Sequence, residues 1–214
     1  TGEPSLADFV SHLIAIEQPL HRNVALDATT ADALLDWDDR PPLIIDESDG
    51  VLSSCELALD CGYHGTSHKN CKGVFKGLAN TALIEHRRRV DPDQAYLITG
   101  EDLSNVAPIA LMQDLAVLAT LGITHAERNS QHYFRGLTYL PDDMADAVLA
   151  QHHDVYHRHA RGFPAAMIED GQLNIESIIN APFGGRIEFD RERFPTIDDW
   201  SFDSLGIETT DERR

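Results

Sequence analysis

Charged side chains follow a series of short apolar segments in this sequence. Glu17, Asp46, Lys69, Glu101 and Glu127 stand at the ends of successive segments, separated by 29, 23, 32 and 26 residues. Carboxylate oxygens are hard ligands that suit Mg²⁺, and a lysine held among cations and apolar walls can act as a base because its pKa falls. The pattern therefore predicts either a metal site that faces a lysine or a set of solvated loop residues.

Strand-like and helical segments alternate along the chain and would have to position these side chains. Predicted strands lie at 14–20, 43–45, 62–67, 95–99 and 123–126. Predicted helices lie at 5–13, 29–37, 51–59, 74–90, 106–121 and 141–160. This alternation is typical of a parallel α/β sheet, in which catalytic groups collect at the carboxyl ends of the strands. The period fits a (β/α) barrel of the TIM type or a doubly wound sheet, and the sequence contains no G-x-G-x-x-G or Walker motif for a nucleotide.

Composition argues against several classes of partner and compartment. The chain carries 17 basic and 36 acidic side chains, a formal charge of −19 that would repel nucleic acids and anionic membranes. Its apolar runs are shorter than the ~18 residues that a membrane span needs. Cys55, Cys61 and Cys71 are odd in number and clustered, unlike the cysteines of a disulfide-stapled secreted domain. We therefore expect a cytoplasmic protein with no nucleic-acid or membrane partner.

Two short motifs lie at consecutive predicted strands, Glu-Gln-Pro at 17–19 and Asp-Glu-Ser at 46–48. Together, and in this order, they resemble the enolase superfamily, in its branch of muconate lactonizing enzyme and mandelate racemase-like proteins. In that family the first motif lies at the fourth barrel strand and the second at the fifth, and each supplies a metal carboxylate. The resemblance implies that Glu17 and Asp46 bind Mg²⁺.

The family's sixth strand often ends in a lysine that is soon followed by glycine. The segment 68–73 has this form, so the resemblance implies that Lys69, or else Lys72, is the catalytic base. The segment 100–104 is similar to the family's seventh-strand region, and we expect Glu101 and Asp102 to bind substrate.

The last of the five predicted strands, at 123–126, would be the eighth strand of the family's barrel. It is followed by Glu127 and Asn129. Both side chains offer hydrogen-bonding groups, and we expect them to contact substrate or to fasten a loop.

The resemblance also implies which part of a barrel the chain contains. Residues 1–165 would form strands four to eight, 166–190 a hairpin around Asp170-Gly171 that returns toward a capping domain, and 191–214 a polar acidic tail. At 214 residues the chain is short for a complete barrel of roughly 250 residues. We expect strands one to three, a third metal ligand and a second base upstream of Thr1.

The activity implied by the resemblance is abstraction of the proton α to a carboxylate, in a racemase, epimerase, sugar-acid dehydratase or cycloisomerase acting on a small carboxylic acid. An alternative is a non-catalytic or split-barrel fragment with an incomplete metal site, which acts as a binding or assembly partner. In either case we expect a homo-oligomer or a complementary barrel chain, because a partial barrel leaves unpaired strand edges.

A third hypothesis is a zinc protein that uses Cys61, His64, His68 and Cys71, whose types and close spacing suit zinc. His153 and His157 also have an i, i+4 metal spacing on the predicted last helix. We expect this pair to belong to a solvated helix face, since no HExxH motif accompanies it.

Overall fold

The computed structural model describes residues 6–101, 105–128 and 135–205. The strands are β1 (Ile16–Glu17), β2 (Leu43–Ile45), β3 (Gly65–His68), β4 (Leu97–Glu101), β5 (Ala126–Glu127), β6 (Tyr156–Arg158), β7 (Pro164–Ala166), β8 (Ile168–Glu169) and β9 (Gln172–Leu173). The α-helices are α1 (Ala7–Ser11), α2 (Ala28–Leu35), α3 (Ser54–Asp60), α4 (Val74–Val90), α5 (Ile109–Leu121), α6 (Asp142–Gln151) and α7 (Glu176–Ile179). Short 3₁₀ turns lie at Asn70–Lys72, Pro182–Gly184, Arg191–Arg193 and Phe202–Leu205.

The main sheet contains five strands in the order β1-β2-β3-β4-β5. The pairs β1–β2, β2–β3 and β3–β4 are parallel, with Ile44 beside Gly65 and His68 beside Gly100. A doubly wound sheet reverses its strand order at a switch point, whereas this order follows the chain throughout the described strands. The predicted α/β class with a parallel sheet is confirmed, and the doubly wound alternative is wrong.

Two compact units make up the chain. Unit 1 comprises Thr1–Glu101 and Ile123–His125, and unit 2 comprises Asp102–Gly122 and Ala126–Arg214. None of the helices in the described ranges is long and apolar enough to cross a membrane.

The core of unit 1 is built on β2, whose three residues are all buried. Successive residues of a strand point to opposite faces, and Leu43 and Ile45 accordingly share one hydrophobic cluster. The other buried members of that cluster are Ala25, Leu34, Ala58, Cys61 and Tyr63. Because both ends of β2 are fixed by this packing, the residue that follows it, Asp46, is held in a defined position.

Two of the predicted helix boundaries are set by local chemistry. The structure confirms the predicted helix at 74–90 as α4, which begins after Gly73. Helix α5 ends at Leu121, and the next residue, Gly122, has the left-handed conformation (φ 69°, ψ 23°) that terminates many helices.

The predicted last helix, 141–160, was too long. Helix α6 ends at Gln151 because His152 leaves the helical region (φ −127°, ψ 49°), and His157 lies in β6, which pairs antiparallel with β7. His153 and His157 therefore do not share a helix face.

The hairpin predicted around Asp170-Gly171 is confirmed by the antiparallel pairing of β8 with β9. Asp170 and Gly171 have φ values of 49° and 73°, the positive angles that a tight type I′ turn requires at both central positions.

Candidate functional site

Three carboxylates converge at one edge of the sheet in unit 1. Glu17 ends β1, Asp46 follows β2 and Glu101 ends β4, and one oxygen of each lies within 4.8 Å of the others. The carboxyl ends of parallel strands meet at the same edge of a sheet, which explains the convergence of residues so far apart in sequence. The sequence predicted Glu17 and Asp46 as metal ligands, whereas Glu101, predicted as a substrate residue, lies with them.

Two lysines contact the same carboxylates. Lys69 Nζ lies 2.8 Å from Asp46 Oδ2 and 2.6 Å from Glu101 Oε2. Lys72 Nζ lies 2.6 Å from the other oxygen of Asp46, Oδ1. The structure therefore brings both candidate bases to the carboxylates.

The two lysines differ in how their donors are used. An ammonium group has three N–H donors. Lys72 directs its donors to the Asp46 carboxylate and to two backbone oxygens, Asp46 O at 2.9 Å and Ser67 O at 2.7 Å. Lys69 contacts two acceptors in the described part of the chain, the carboxylates of Asp46 and Glu101. Lys72 is thus saturated by the protein, and Lys69 retains one donor.

The charges of the site shift the pKa values of Asp46 and Lys69. Burial acts to raise the pKa of Asp46, but hydrogen bonds from Lys69 and Lys72 outweigh it and hold that pKa below its usual value. Burial acts to lower the pKa of Lys69, but its bonds to Asp46 and Glu101 raise it above the usual value. Two carboxylates contact the ammonium group in this arrangement, and they act against the lowered lysine pKa expected from the sequence.

The three carboxylates fit a hard divalent cation. Mg²⁺ is bound by carboxylate oxygens together with water, and it needs few protein ligands. Glu17, Asp46 and Glu101 offer three carboxylates, and Lys69 and Lys72 contact two of them, Asp46 and Glu101. Lys69 and Lys72 occupy oxygens of Asp46 that such an ion would share.

Gln18 joins the two ligand-bearing strands, a role that the sequence did not reveal. Its Oε1 accepts hydrogen bonds from the backbone N–H groups of Asp46 (2.8 Å) and Ser48 (3.1 Å). Its Nε2 donates to Ser48 Oγ at 2.8 Å. Gln18 also has a positive φ of 40°, which few residues other than glycine adopt. The signal available in the sequence was the middle residue of Glu-Gln-Pro and the last residue of Asp-Glu-Ser.

A second buried polar network supports the segment that carries Asp46. Asp49 Oδ1 lies 2.8 Å from Lys76 Nζ, and Asp49 Oδ2 accepts hydrogen bonds from Thr66 Oγ1 (3.1 Å) and Asn80 Nδ2 (3.0 Å). Asp49, Thr66 and Asn80 are all less than 5% exposed, at 4%, 0% and 4%. The network fastens the loop after β2 to β3 and α4, and sequence reasoning missed it because burial of Asp49 depends on tertiary packing.

Three further residues, Asp102, Glu127 and Asn129, are predicted to contact substrate. Glu127 ends β5, is exposed and belongs to unit 2. Asp102 and Asn129 fall outside the described residues.

The residues of the zinc hypothesis do not come together. Within the described ranges, one group of three or more histidine, cysteine or acidic side chains is close enough to hold a metal ion, and it is the carboxylate cluster. This cluster contains neither of the two cysteines and neither of the two histidines of the zinc hypothesis. His64 Nδ1 accepts a hydrogen bond from Leu43 N at 3.1 Å, and His68 Nε2 pairs with Asn70 Oδ1 at 3.2 Å. Cys61 is buried in the hydrophobic core, whereas Cys71 is exposed.

Comparison with protein families and with curated proteins found no relative of this chain. No protein-family model matches the sequence, and no curated protein matches it. The functional proposal therefore depends on the residues and geometry of this chain.

Proposed function

We propose that the carboxylate cluster of unit 1 is a Mg²⁺-dependent active site of the enolase-superfamily type, which removes the proton α to the carboxylate of a small carboxylic acid. The observation that carries the proposal is the convergence of Glu17, Asp46 and Glu101, together with the contact of the Lys69 ammonium group with Asp46 and Glu101. The order of strands along the sheet, which follows the chain, supports the corresponding (β/α) barrel arrangement.

Each side chain has a distinct role in the proposal. Glu17, Asp46 and Glu101 hold Mg²⁺, so that Glu101 supplies a third carboxylate from within the chain. Bound there, Mg²⁺ would supply positive charge that stabilises the negative charge developing on the substrate carboxylate.

Lys69 is the residue that transfers the proton in this proposal. Its Nζ lies at the carboxylates, and as the neutral amine it would accept the α-proton of the substrate. The ammonium group must first release a proton to solvent, and Mg²⁺ held by the same carboxylates would favour that release by offsetting their negative charge. Lys72 holds the backbone oxygens of Asp46 and Ser67 and instead positions the Asp46 carboxylate. Racemisation, epimerisation, dehydration and cycloisomerisation share the proton abstraction and remain equal candidates for the overall reaction.

Exchange of the α-proton with solvent tests the proposal. The protein would be incubated with Mg²⁺ in D₂O with a panel of 2-hydroxy acids and sugar acids, and loss of the α-proton signal would be followed by NMR. We expect exchange with at least one acid, abolished by Lys69→Met while Mg²⁺ binding persists. Exchange that continues unchanged in Lys69→Met would contradict the role of Lys69, and its absence for every acid would contradict the reaction.

A second candidate function, an assembly partner, is favoured by the surface of α1. None of the five residues of this helix is buried, and Phe9 is 64% exposed. Leu6 and Ile14 beside the helix are 47% and 53% exposed. Large apolar side chains exposed at neighbouring positions of the chain are the material from which surfaces that bind another polypeptide are made. Light scattering tests this candidate: we expect a mass above the 23.8 kDa of one chain, which falls to that value in Phe9→Asp. A wild-type protein that stays monomeric would exclude self-association.

A further inference from the structure

Unit 2 contains a groove between helix α5 and the segment that follows α7. Its volume is about 170 Å³. Apolar side chains form most of its wall, namely Ile109, Met112, Pro182, Phe183, Ile187 and Phe189. The described residues that line it carry no charge, and all of them belong to unit 2, so the groove is separate from the carboxylate cluster.

A close approach of two backbone segments forms one side of this groove. Gly184 lies in the 3₁₀ turn Pro182–Gly184, and a Cβ added to it would overlap the backbone oxygen of Met112 in α5. Gly184 also has a φ of 88°, which glycine adopts without a steric penalty. The turn is therefore fixed against α5, and the groove beside it belongs to the packed fold.

The conformation of Phe183, at the rim of the groove, is unusual. Its φ of 44° and ψ of 48° lie in the left-handed region, which is unfavourable for a residue with a Cβ. Its side chain is nevertheless 57% exposed, so the strain is not explained by burial of the ring. Strained residues of this kind cluster at sites that bind ligands.

Gln113 has the one polar side chain among the described residues that line the groove. It is half-buried. Within the described part of the chain, its amide oxygen and nitrogen have neither a hydrogen-bond partner nor complete burial, so a ligand can reach both. A side-chain amide offers an acceptor and donors together, and a peptide group offers the same pair. Gln113 therefore suits a ligand that contains a peptide group.

The size and the charge of the groove limit the rest of that ligand. An apolar cavity of ~150 Å³ holds one benzene molecule, so the groove has room for one aromatic or branched aliphatic side chain. Ile109 and Phe183 are 47% and 57% exposed and extend the apolar surface beyond the cavity, which favours a chain over a single ring. The uncharged wall offers nothing that would compensate the burial of a charged group.

We propose that this groove binds an uncharged peptide segment of another protein, with one apolar side chain in the cavity and one peptide group hydrogen-bonded to Gln113. The pocket selects the side chain, and the main-chain hydrogen bonds add affinity. The site goes beyond the proposed function, since it uses no residue of the carboxylate cluster or of α1.

Two glutamine variants test the role of the amide. The probe is N-acetylphenylalaninamide, an uncharged peptide unit with one aromatic side chain, and NMR titration measures its affinity. We expect millimolar binding to the wild type and at least ~5-fold weaker binding to Gln113→Met, which keeps the length of the side chain but removes the amide. Gln151→Met is the matched control, because Gln151 is exposed at the end of α6 and should leave the affinity unchanged.

Phe183→Asn separates binding from stability. Asparagine tolerates the left-handed region better than phenylalanine, so we expect a thermal midpoint at or above that of the wild type. We expect the probe to bind at least ~5-fold more weakly, because the ring at the rim is lost. No binding to the wild type at millimolar concentration, or equal affinity of the wild type and either Gln113→Met or Phe183→Asn, would overturn the proposal. A wild-type dimer that Phe183→Asn dissociates in light scattering would assign the groove to a second copy of this chain and would also overturn it.

Discussion

The side chain of Gln18 holds the backbone of Asp46, with 2.8 Å between Gln18 Oε1 and Asp46 N. Gln18 directly follows Glu17, so a single side chain connects two of the three carboxylate positions. The separation of Glu17 and Asp46 therefore depends on a hydrogen bond between the ends of neighbouring strands.

Replacing Gln18 by leucine removes the hydrogen bonds to Asp46 N, Ser48 N and Ser48 Oγ. These hydrogen bonds are partly buried, so their loss leaves polar groups without partners. We therefore expect Gln18→Leu to lower the free energy of unfolding by about 1–3 kcal/mol in urea denaturation. The control is Gln94→Leu at an exposed position, which should change it by less than about 0.5 kcal/mol. Equal effects of the two substitutions would contradict the role given to Gln18.

The ion pair between Asp49 and Lys76 should contribute to the stability of the fold, because the Asp49 carboxylate is buried. Lys76→Met leaves the Asp49 carboxylate, whose side chain is 2% exposed, without its cation. We expect a loss of about 3–5 kcal/mol in the free energy of unfolding. In the double variant Asp49→Asn/Lys76→Met the charge is gone and an acceptor remains for Thr66 and Asn80, so most of the stability should return. A double variant no more stable than Lys76→Met would show that the ion pair does not account for the loss.

Gly65 allows β3 and β4 to approach each other. A Cβ at this position would lie 1.7 Å from the backbone oxygen of Leu97. We expect Gly65→Ala to prevent the native pairing, visible as loss of the cooperative unfolding transition in circular dichroism. Gly50→Ala is the matched control, since no described neighbour lies within 4 Å of its added Cβ. A cooperative transition in Gly65→Ala at the wild-type midpoint would refute this close approach.

The three cysteines should differ in their reactivity. Cys71 is exposed, Cys55 and Cys61 are buried, and burial raises the pKa of Cys55 to about 12. Since the thiolate is the reactive form, a thiol reagent at pH 8 should label Cys71 rapidly and Cys55 only after unfolding. Mass spectrometry of Cys71→Ser checks this, because the rapid phase should disappear. Rapid labelling of Cys55 in the folded protein would be inconsistent with its burial.

Local patterns in the sequence were sufficient to predict most of unit 1. The apolar run of β2 and its following carboxylate, Asp46, were recognised because a buried strand and the residue after it are read from adjacent positions. The end of α6 at Gln151 was not predicted, because the residues after it form β6, and β6 pairs with β7 further along the chain.

In the candidate site, too, some residues could be predicted from adjacent positions in the sequence and others could not. Strand ends indicated Glu17, Asp46, Lys69 and Glu101 alike, whereas the position of Glu101 beside the two predicted metal ligands depends on how four strands are arranged in the sheet. The distinction between Lys69 and Lys72 depends on the 3₁₀ turn at Asn70–Lys72, which returns the second lysine to the backbone of β3.

Calorimetric titration with Mg²⁺ tests the carboxylate cluster most directly. Glu101→Gln removes one proposed ligand charge, and Glu47→Gln makes the same chemical change at an exposed position beside Asp46. We predict that the wild-type protein binds Mg²⁺, that Glu101→Gln weakens binding at least ~10-fold and that Glu47→Gln leaves it unchanged. A wild-type protein that binds no Mg²⁺, or a Glu101→Gln variant that binds it as tightly as the wild type, would contradict the metal site.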